Sequence, residues 1–293
     1  MNKRILLTGS RGFTGEYISA ELESKGYDVI GLVQSNSINK EVVCDLTDKA
    51  ALIDIVNEVK PDGAIHLAAL SFVGHEDESA FYAVNTVGTT NFLEALYRCG
   101  RNYQKVIVAS SANIYGNPSV KVITEETEPG PVNHYAASKL AMEYMVKTYF
   151  HKLPIVMTRP FNYTGIGQDP KFLIPKIVNH YRENKKTIEL GNLDVARDFS
   201  DVRDIARAYV GLYESDVASD VFNLSSGKVY QLKEIIELMN EIAGYEIEVK
   251  VNPAFVRDNE IKVLCGNNDK LKAAIGHQDK YSLKDSLHDM FSK

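Results

Sequence analysis

Arg4-Ile5-Leu6-Leu7-Thr8-Gly9-Ser10-Arg11-Gly12-Phe13-Thr14-Gly15 begins as an apolar run and ends as a glycine-rich turn. The run reads as a buried strand, and residues 12–24 read as the helix that follows it. Gly9, Gly12 and Gly15 form G-x-x-G-x-x-G. In a strand–turn–helix setting the first glycine permits the tight turn. The second lets the backbone approach a pyrophosphate, and the third packs helix on strand. The start of the helix then offers N–H groups to phosphates, with Phe13 at its first turn. A glycine triplet alone is weak evidence; the strand before it and the helix after it supply the context a dinucleotide site needs.

Strand patterns recur at 28–33, 41–45, 64–67, 105–110 and 155–159, and helical patterns at 48–59, 80–99 and 135–150 lie between them. Strands separated by helices imply right-handed crossovers and a doubly wound parallel sheet. After Arg159 the rhythm changes, punctuated by Pro160, Gly165, Gly167, Pro170 and Pro175. Further helices are predicted at 174–183, 202–214, 232–243 and 283–291, with short strands at 187–190 and 221–224. The expected architecture is α/β. Residues 1–163 with 200–224 form the dinucleotide-binding sheet. Residues 164–199 with 225–293 form a smaller C-terminal α/β lobe for substrate.

The 293 residues, 44% hydrophobic and 25% charged, suit a globular chain with a large core. A formal net charge of -6 argues against nonspecific nucleic-acid binding. Cys44, Cys99 and Cys265 are odd in number and widely spaced, which fits neither a disulfide framework nor a zinc site. The histidines have no metal spacing, and His66 reads as a core or turn residue. With an N-terminal strand in place of a signal peptide and no apolar run of membrane length, a soluble cytoplasmic protein is expected.

Tyr135 and Lys139 stand at i, i+4 on one face of a predicted helix. There the ammonium could hold the phenol and lower its pKa from about 10. Ser111 closes the apolar strand at 105–110. A hydride acceptor carbonyl needs a proton and hydrogen-bond donors. Tyr135 would donate the proton, Ser111 would steady the oxygen, and Lys139 would bind the nicotinamide ribose. At the adenosine end, the place that usually carries an acid is occupied by Val33-Gln34-Ser35-Asn36. Arg11 could meet a 2′-phosphate there or be a solvated loop residue; NADP(H) is favoured, with NAD(H) also possible. Asp45-Leu46 suits an adenine contact, although Asp45 could equally cap the helix near Asp48. Arg197 and Arg257 could clamp a diphosphate from opposite sides, with Glu260 on a ribose hydroxyl, or each could be a surface charge.

These residues resemble the extended short-chain dehydrogenase/reductase superfamily, in its nucleotide-sugar branch. The marks are the glycine turn, His66-Leu67-Ala68-Ala69, Asn85, Ser111 with Ile114-Tyr115-Gly116, Tyr135-x-x-x-Lys139 and Arg159-Pro160-Phe161-Asn162. Within that branch, Gly191-Asn192-Leu193-Asp194 with Arg197-Asp198-Phe199, and Arg257…Glu260, are similar to the GDP-mannose 4,6-dehydratases and their reductase relatives. Arg257-Asp258-Asn259-Glu260 departs mildly from the commoner Arg-Pro-x-Glu. The resemblance implies that Leu67, Ala68 and Ala69 line the cofactor site and that Asn113 and Asn162 touch a GDP-linked sugar.

One position separates the activities of that group. The dehydratases carry a Glu two residues after the catalytic hydroxyl, as the base for a carbon-bound proton. Here it is Asn113, and an amide does not titrate. The epimerising GDP-fucose-synthase type carries a Cys there and a His before Ile-Pro; this chain has Asn113, and Phe172 before Leu173-Ile174-Pro175. What the resemblance leaves is hydride transfer: NADPH-dependent reduction of the C4 keto group of a GDP-4-keto-6-deoxy sugar, hexose or heptose. The alternatives are a 4-epimerase, a dehydratase, or a non-catalytic NADP-sensing or scaffold protein. The resemblance also implies a homodimer in which the helices at 80–99 and 135–150 pair across a two-fold axis. Phe92, Leu93, Leu96, Leu140, Tyr144 and Met145 are the apolar residues expected to exceed the needs of the chain's own sheet.

Overall fold

The computed structural model describes residues 2–71, 76–255 and 261–293. Six parallel strands, β1 (Arg4–Thr8), β2 (Asp28–Val33), β3 (Glu41–Val43), β4 (Gly63–His66), β5 (Val106–Ala109) and β6 (Ile155–Pro160), form one sheet. The seventh, β10 (Asp220–Leu224), pairs in parallel with β6. The order is β10-β6-β5-β4-β1-β2-β3. Its direction of winding reverses between β1 and β4, and ligands of open α/β sheets bind at such a switch point, beyond the strand C-termini.

The apolar runs have a simple cause. Successive side chains of a strand point to opposite faces, and here both faces are covered. Leu6, Val106, Val108, Ile155 and Met157 enter one core; Ile5, Leu7, Ile107 and Val156 enter the other. On the first face lie α2 (Lys49–Val59), α4 (Thr89–Cys99) and α5 (His134–Lys147), through Leu52, Phe92 and Met142. On the second lie α1 (Phe13–Ser24) and α7 (Val202–Glu214), through Ile18, Leu22 and Tyr209. Each fully buried aliphatic or aromatic side chain contributes about 1.5–3 kcal/mol.

The predicted helix at 80–99 is not a regular α-helix. A short α3 (Glu78–Phe81), capped by Asp77, runs into a π-helical stretch, Tyr82–Gly88, before α4. Such widened turns are frequent at functional sites, and Asn85 lies in this one. Phe92, Leu93 and Leu96, expected to be surplus apolar surface, are fully buried against the chain's own sheet. Leu140 is partly buried; Tyr144 and Met145 are exposed.

The C-terminal lobe is built around β7 (Asn162–Thr164), β8 (Thr187–Leu190), β9 (Ala196–Asp201), β11 (Val229–Gln231), β12 (Glu248–Val251) and β13 (Val263–Leu264). β9 pairs with β7, β11 and β13, and β8 pairs with β12. The helices α6 (Leu173–Arg182), α8 (Leu232–Ala243) and α10 (Leu283–Ser292) enclose the lobe's own apolar cluster. β9 escapes an apolar-pattern reading because Arg197 and Asp198 interrupt it, yet Asp198 is buried. Its carboxylate accepts from Ser226 N and Gly227 N at 2.8 Å and from Ser226 Oγ at 2.7 Å, which satisfies it inside the lobe. α9 (Asp269–Ile275) lies on α7 and β10, with Leu271 in the core of the main sheet. No described helix is long and apolar enough to cross a membrane.

Candidate active site

Gly9 adopts φ +71°, a conformation that a side chain would strain, and Gly12 N–H closes the turn on Gly9 O at 3.0 Å. A Cβ on Gly15 would stand 2.1 Å from Gly9 O, and one on Gly9 would stand 3.0 Å from Ala68 N. The turn is therefore a cradle that only glycine fits. Gly12 caps α1 with no side-chain bond, which leaves backbone N–H groups as the donors at the helix start. Leu67 N and Ala68 N both donate to Thr8 Oγ1, at 3.2 and 3.1 Å, binding β4's outgoing chain to β1 at the switch point. Ala69 is half-buried in the same segment.

From this turn a chain of buried hydrogen bonds runs to the Tyr135 helix. Thr8 Oγ1 bonds His66 Nδ1 at 2.8 Å, and His66 Nε2 bonds Thr89 Oγ1 at 2.9 Å. Thr89 Oγ1 donates its own hydrogen to Asn85 O at 2.7 Å, so it accepts from His66. That fixes the proton on Nε2 and makes Nδ1 the acceptor from Thr8. Burial, reinforced by the charge of Lys139, pushes the imidazole down to about 3, so it is neutral. Asn85 Oδ1 accepts from Leu70 N at 2.9 Å, while Nδ2 donates to Leu70 O at 3.1 Å and to Ser138 Oγ at 3.0 Å. Ser138 Oγ donates to Tyr135 O at 2.8 Å. His66 is thus a core residue that spans two layers, in line with its reading as a core or turn residue.

Ser111, Tyr135 and Lys139 are brought together at the C-terminal end of β5. Asn133 caps α5, accepting from Ala136 N at 2.9 Å, and sets the face on which Tyr135 and Lys139 stand. The Ser111 hydroxyl lies near enough to the Tyr135 phenol to favour its ionised form, and Lys139 Nζ donates to Ala109 O at 2.8 Å. The expectation that Lys139 lowers the phenol is corrected here. Burial pushes Tyr135 up to about 12; the Ser111 hydroxyl pulls it down, and the Tyr163 hydroxyl opposes ionisation. Burial holds Lys139 down to about 8 against the attraction of Glu143. Phe81 meets the Tyr135 ring edge-on with centroids 6.0 Å apart. Tyr163 of β7 stacks on Phe13 at 6.0 Å and bonds Thr14 Oγ1 at 2.7 Å, which seats the lobe's first strand on the glycine turn.

Arg159 fastens this end of α5 from below. It makes a bidentate pair with Glu143 at 2.9 and 2.6 Å, and Nη1 donates to Tyr115 Oη at 2.7 Å. Arg159 and Glu143 side chains are 5% and 1% exposed.

The remaining predicted residues are more dispersed. Asn113 follows Ser111 in a 3₁₀ turn, its N–H on Ser111 Oγ at 3.2 Å. Asn162 opens β7, half-buried. Arg197 is not a surface charge: it is buried in β9, with Nη1 donating to Ala196 O at 3.1 Å and Lys262 O at 3.2 Å. Arg257 and Glu260 lie outside the described residues. Asp45 does not cap α2; it binds Thr47 N and Oγ1 at 2.8 Å, and Asp48 is the cap, while Leu46 is buried against Gly88. Arg11 is exposed but paired: Nε donates to Glu41 Oε1 at 2.9 Å and Nη2 bonds both Glu41 and Asn36 O. A cavity of about 430 Å³ opens in the lobe between Leu193, Ala196, Gln231, Ile236, Val249 and Lys262. Among the described residues, no cluster of three His, Cys, Asp or Glu side chains is placed to hold a metal ion.

The sequence pattern of the GDP-mannose 4,6 dehydratase family matches residues 6–290. The chain is 35% identical over 290 residues to the GDP-6-deoxy-D-talose 4-dehydrogenase of Aggregatibacter actinomycetemcomitans, covering 98% of this chain and 97% of that one. It is 31% identical over 303 residues to the GDP-6-deoxy-D-mannose reductase of Pseudomonas aeruginosa, covering 100% and 97%. The crystal structure of RMD from Pseudomonas aeruginosa complexed with NADPH superposes with a TM-score of 0.87 at 30% identity, over 99% of this chain and 98% of that one. Sheet order, glycine cradle, the Tyr135–Lys139 helix and the extent of these matches lead to one assignment: the chain belongs to the GDP-mannose 4,6 dehydratase family.

Proposed function

We propose that the protein is an NAD(P)H-dependent nucleotide-sugar oxidoreductase that reduces the C4 keto group of a GDP-linked 4-keto-6-deoxy sugar. The observation that carries this reading is the pairing of Ser111 with a buried, protonated Tyr135, beside Asn113, whose amide cannot serve as a dehydratase's base. The glycine cradle, closed to any Cβ, fits a dinucleotide pyrophosphate against the start of α1. Gly9, Gly12, Phe13 and Gly15 would hold that part of the cofactor, with Leu67, Ala68 and Ala69 across the switch point. A bound nicotinamide supplies the hydride.

The chain's own residues do the rest. Tyr135 Oη gives its proton to the sugar's carbonyl oxygen as negative charge develops there, and a phenol held near 12 is still protonated at neutral pH. Ser111 Oγ donates to the same oxygen and fixes its position. Lys139, anchored on Ala109 O, would hold the nicotinamide-side ribose. Phe81 and Tyr163 keep water from the phenol. Asn113 and Asn162 contact the sugar; Arg197, Arg257 and Glu260 contact the diphosphate or its ribose. In the reverse direction the same phenol, ionised, removes a proton from a C4 hydroxyl. One relative is named as a 4-dehydrogenase and another as a reductase. We also propose a homodimer through α4 and α5, where Tyr97, Tyr144 and Met145 remain exposed, with Val87 of the preceding π-helical stretch beside them in sequence.

Incubation with a GDP-4-keto-6-deoxy sugar and NADPH or NADH, with nicotinamide absorbance and product mass followed together, tests the reading. Loss of absorbance with a product two hydrogens heavier is expected. Dehydration of GDP-mannose, or epimerisation with a permanently retained NAD, would replace it.

A further inference from the structure

The acid that the end of β2 lacks arrives from β3. Glu41 is the first residue of β3 and lies opposite Gly31 of β2. Its carboxylate takes Arg11 Nε at 2.9 Å on one oxygen and Arg11 Nη2 on the other, and accepts Ile38 N at 2.8 Å. Thirty residues separate the two partners, so the pair is a product of the fold. Arg11 in turn reaches over the chain that leaves β2, donating to Asn36 O at 2.5 Å and to Ser35 O at 3.5 Å. In dinucleotide folds the chain leaving β2 lies beside the adenosine ribose, where an acid accepts from a free 2′-hydroxyl and an arginine accommodates a 2′-phosphate. Here both groups are present and are bound to each other.

We infer that Glu41 is the residue that sets the choice between NADH and NADPH, by holding Arg11 so that a 2′-phosphate must compete with a carboxylate for it. This rests on the reading of the chain as nicotinamide-dependent. Bidentate guanidinium–carboxylate geometry is the same geometry that a phosphate would use, so the two anions exclude one another on that face. The surroundings do not supply a substitute. Lys40, the other cation beside the adjoining cavity of about 330 Å³, is paired with Asp28 at 3.0 Å, and Glu16 and Glu23 also line that cavity. A 2′-phosphate entering here meets neutralised cations and carboxylates. A ribose diol brings no charge and meets no such penalty. The two cofactors should therefore serve with comparable efficiency, Arg11 favouring the phosphate and Glu41 opposing it.

The test is a titration of NADH and NADPH by nicotinamide fluorescence, with kcat/KM for each, on wild type, Glu41→Gln and Arg11→Ala. Wild type should discriminate by less than about tenfold, and Glu41→Gln should move the Kd ratio about tenfold towards NADPH, the worth of one freed charge-assisted contact. Arg11→Ala should move it the other way. If Glu41→Gln is poorly folded, Glu41→Asp, which keeps the charge and draws it back by one methylene, should move the ratio in the same direction. A shift below about threefold in the folded Gln or Asp variant, or one towards NADH, overturns the inference. Binding of neither dinucleotide by wild type would instead remove the nicotinamide reading, and this inference with it.

Discussion

Asn85 Nδ2 lies 3.0 Å from Ser138 Oγ, and that hydroxyl donates to the backbone oxygen of Tyr135 at 2.8 Å. A residue of the π-helical stretch thus fixes the turn of α5 that carries the phenol. The same amide satisfies Leu70 N and O, so Asn85→Leu leaves these two part-buried polar groups without this partner. Each costs about 1–3 kcal/mol. The variant should lose stability in urea and lose kcat more than it raises KM, because the phenol is displaced while substrate contacts in the lobe stay. A variant with wild-type kcat would show that α5 is positioned without this link.

Tyr135→Phe keeps the ring against Phe81 and removes only the hydroxyl. Turnover should fall by roughly 10²–10⁴, the usual worth of a positioned general acid, with cofactor affinity near wild type. Lys139→Ala should weaken both. Steady-state rates and fluorescence titration on the two variants separate the roles, and an active Tyr135→Phe enzyme would rule out the chemistry.

His66 gives stability a predictable pH dependence. Its ordinary pKa is 6.5 and burial takes it to about 3 in the folded chain. The neutral form is what the fold holds, so the unfolded chain binds the extra proton between those limits. This contribution is complete above 6.5 and is lost progressively as the pH falls towards 3. Between pH 7.5 and pH 5 it amounts to about 2 kcal/mol. His66→Gln, whose amide can still donate to Thr89, should show a correspondingly smaller drop in urea-unfolding free energy over that interval. Parallel pH profiles for the two proteins would contradict the assignment of a buried neutral imidazole.

The Arg159–Glu143 pair is nearly inaccessible, which makes its removal one-sided. Glu143→Gln strands a buried guanidinium and should cost about 3–5 kcal/mol. Replacing both, as Arg159→Met with Glu143→Leu, should recover part of that loss, since the stranded guanidinium is removed, while Lys139 loses the attraction of Glu143 in both variants. Denaturant midpoints for the single and double variants give the comparison directly.

The proposed homodimer rests on what α4 and α5 leave uncovered. Phe92, Leu93 and Leu96 are spent on the chain's own core, whereas Tyr144 is 63% and Met145 41% exposed. Light scattering at micromolar concentration should give twice the chain mass, and Tyr144→Lys with Met145→Glu should give a monomer. A monomeric wild type would remove the proposal.

What the sequence by itself determined is local. The run from Arg4 to Gly15 specifies strand, turn and helix because apolar period and glycine placement act within a few residues of each other. Tyr135 and Lys139 share a face because one helical turn puts them there, and Asn133 begins that helix from the adjacent position. Tertiary structure decided what depends on distant neighbours. Arg11 reads as a free cation until Glu41 folds against it, and Tyr135 reads as an acidified phenol until the fold buries it, with Phe81 against its ring. β9 could not be read as a strand because its Asp198 is made buriable by Ser226 and Gly227, on a loop the local pattern does not connect to it. A residue's periodicity is set by its own turn of chain, but its charge state and partners are set by whichever segments exclude water from it, and those come together only in the fold.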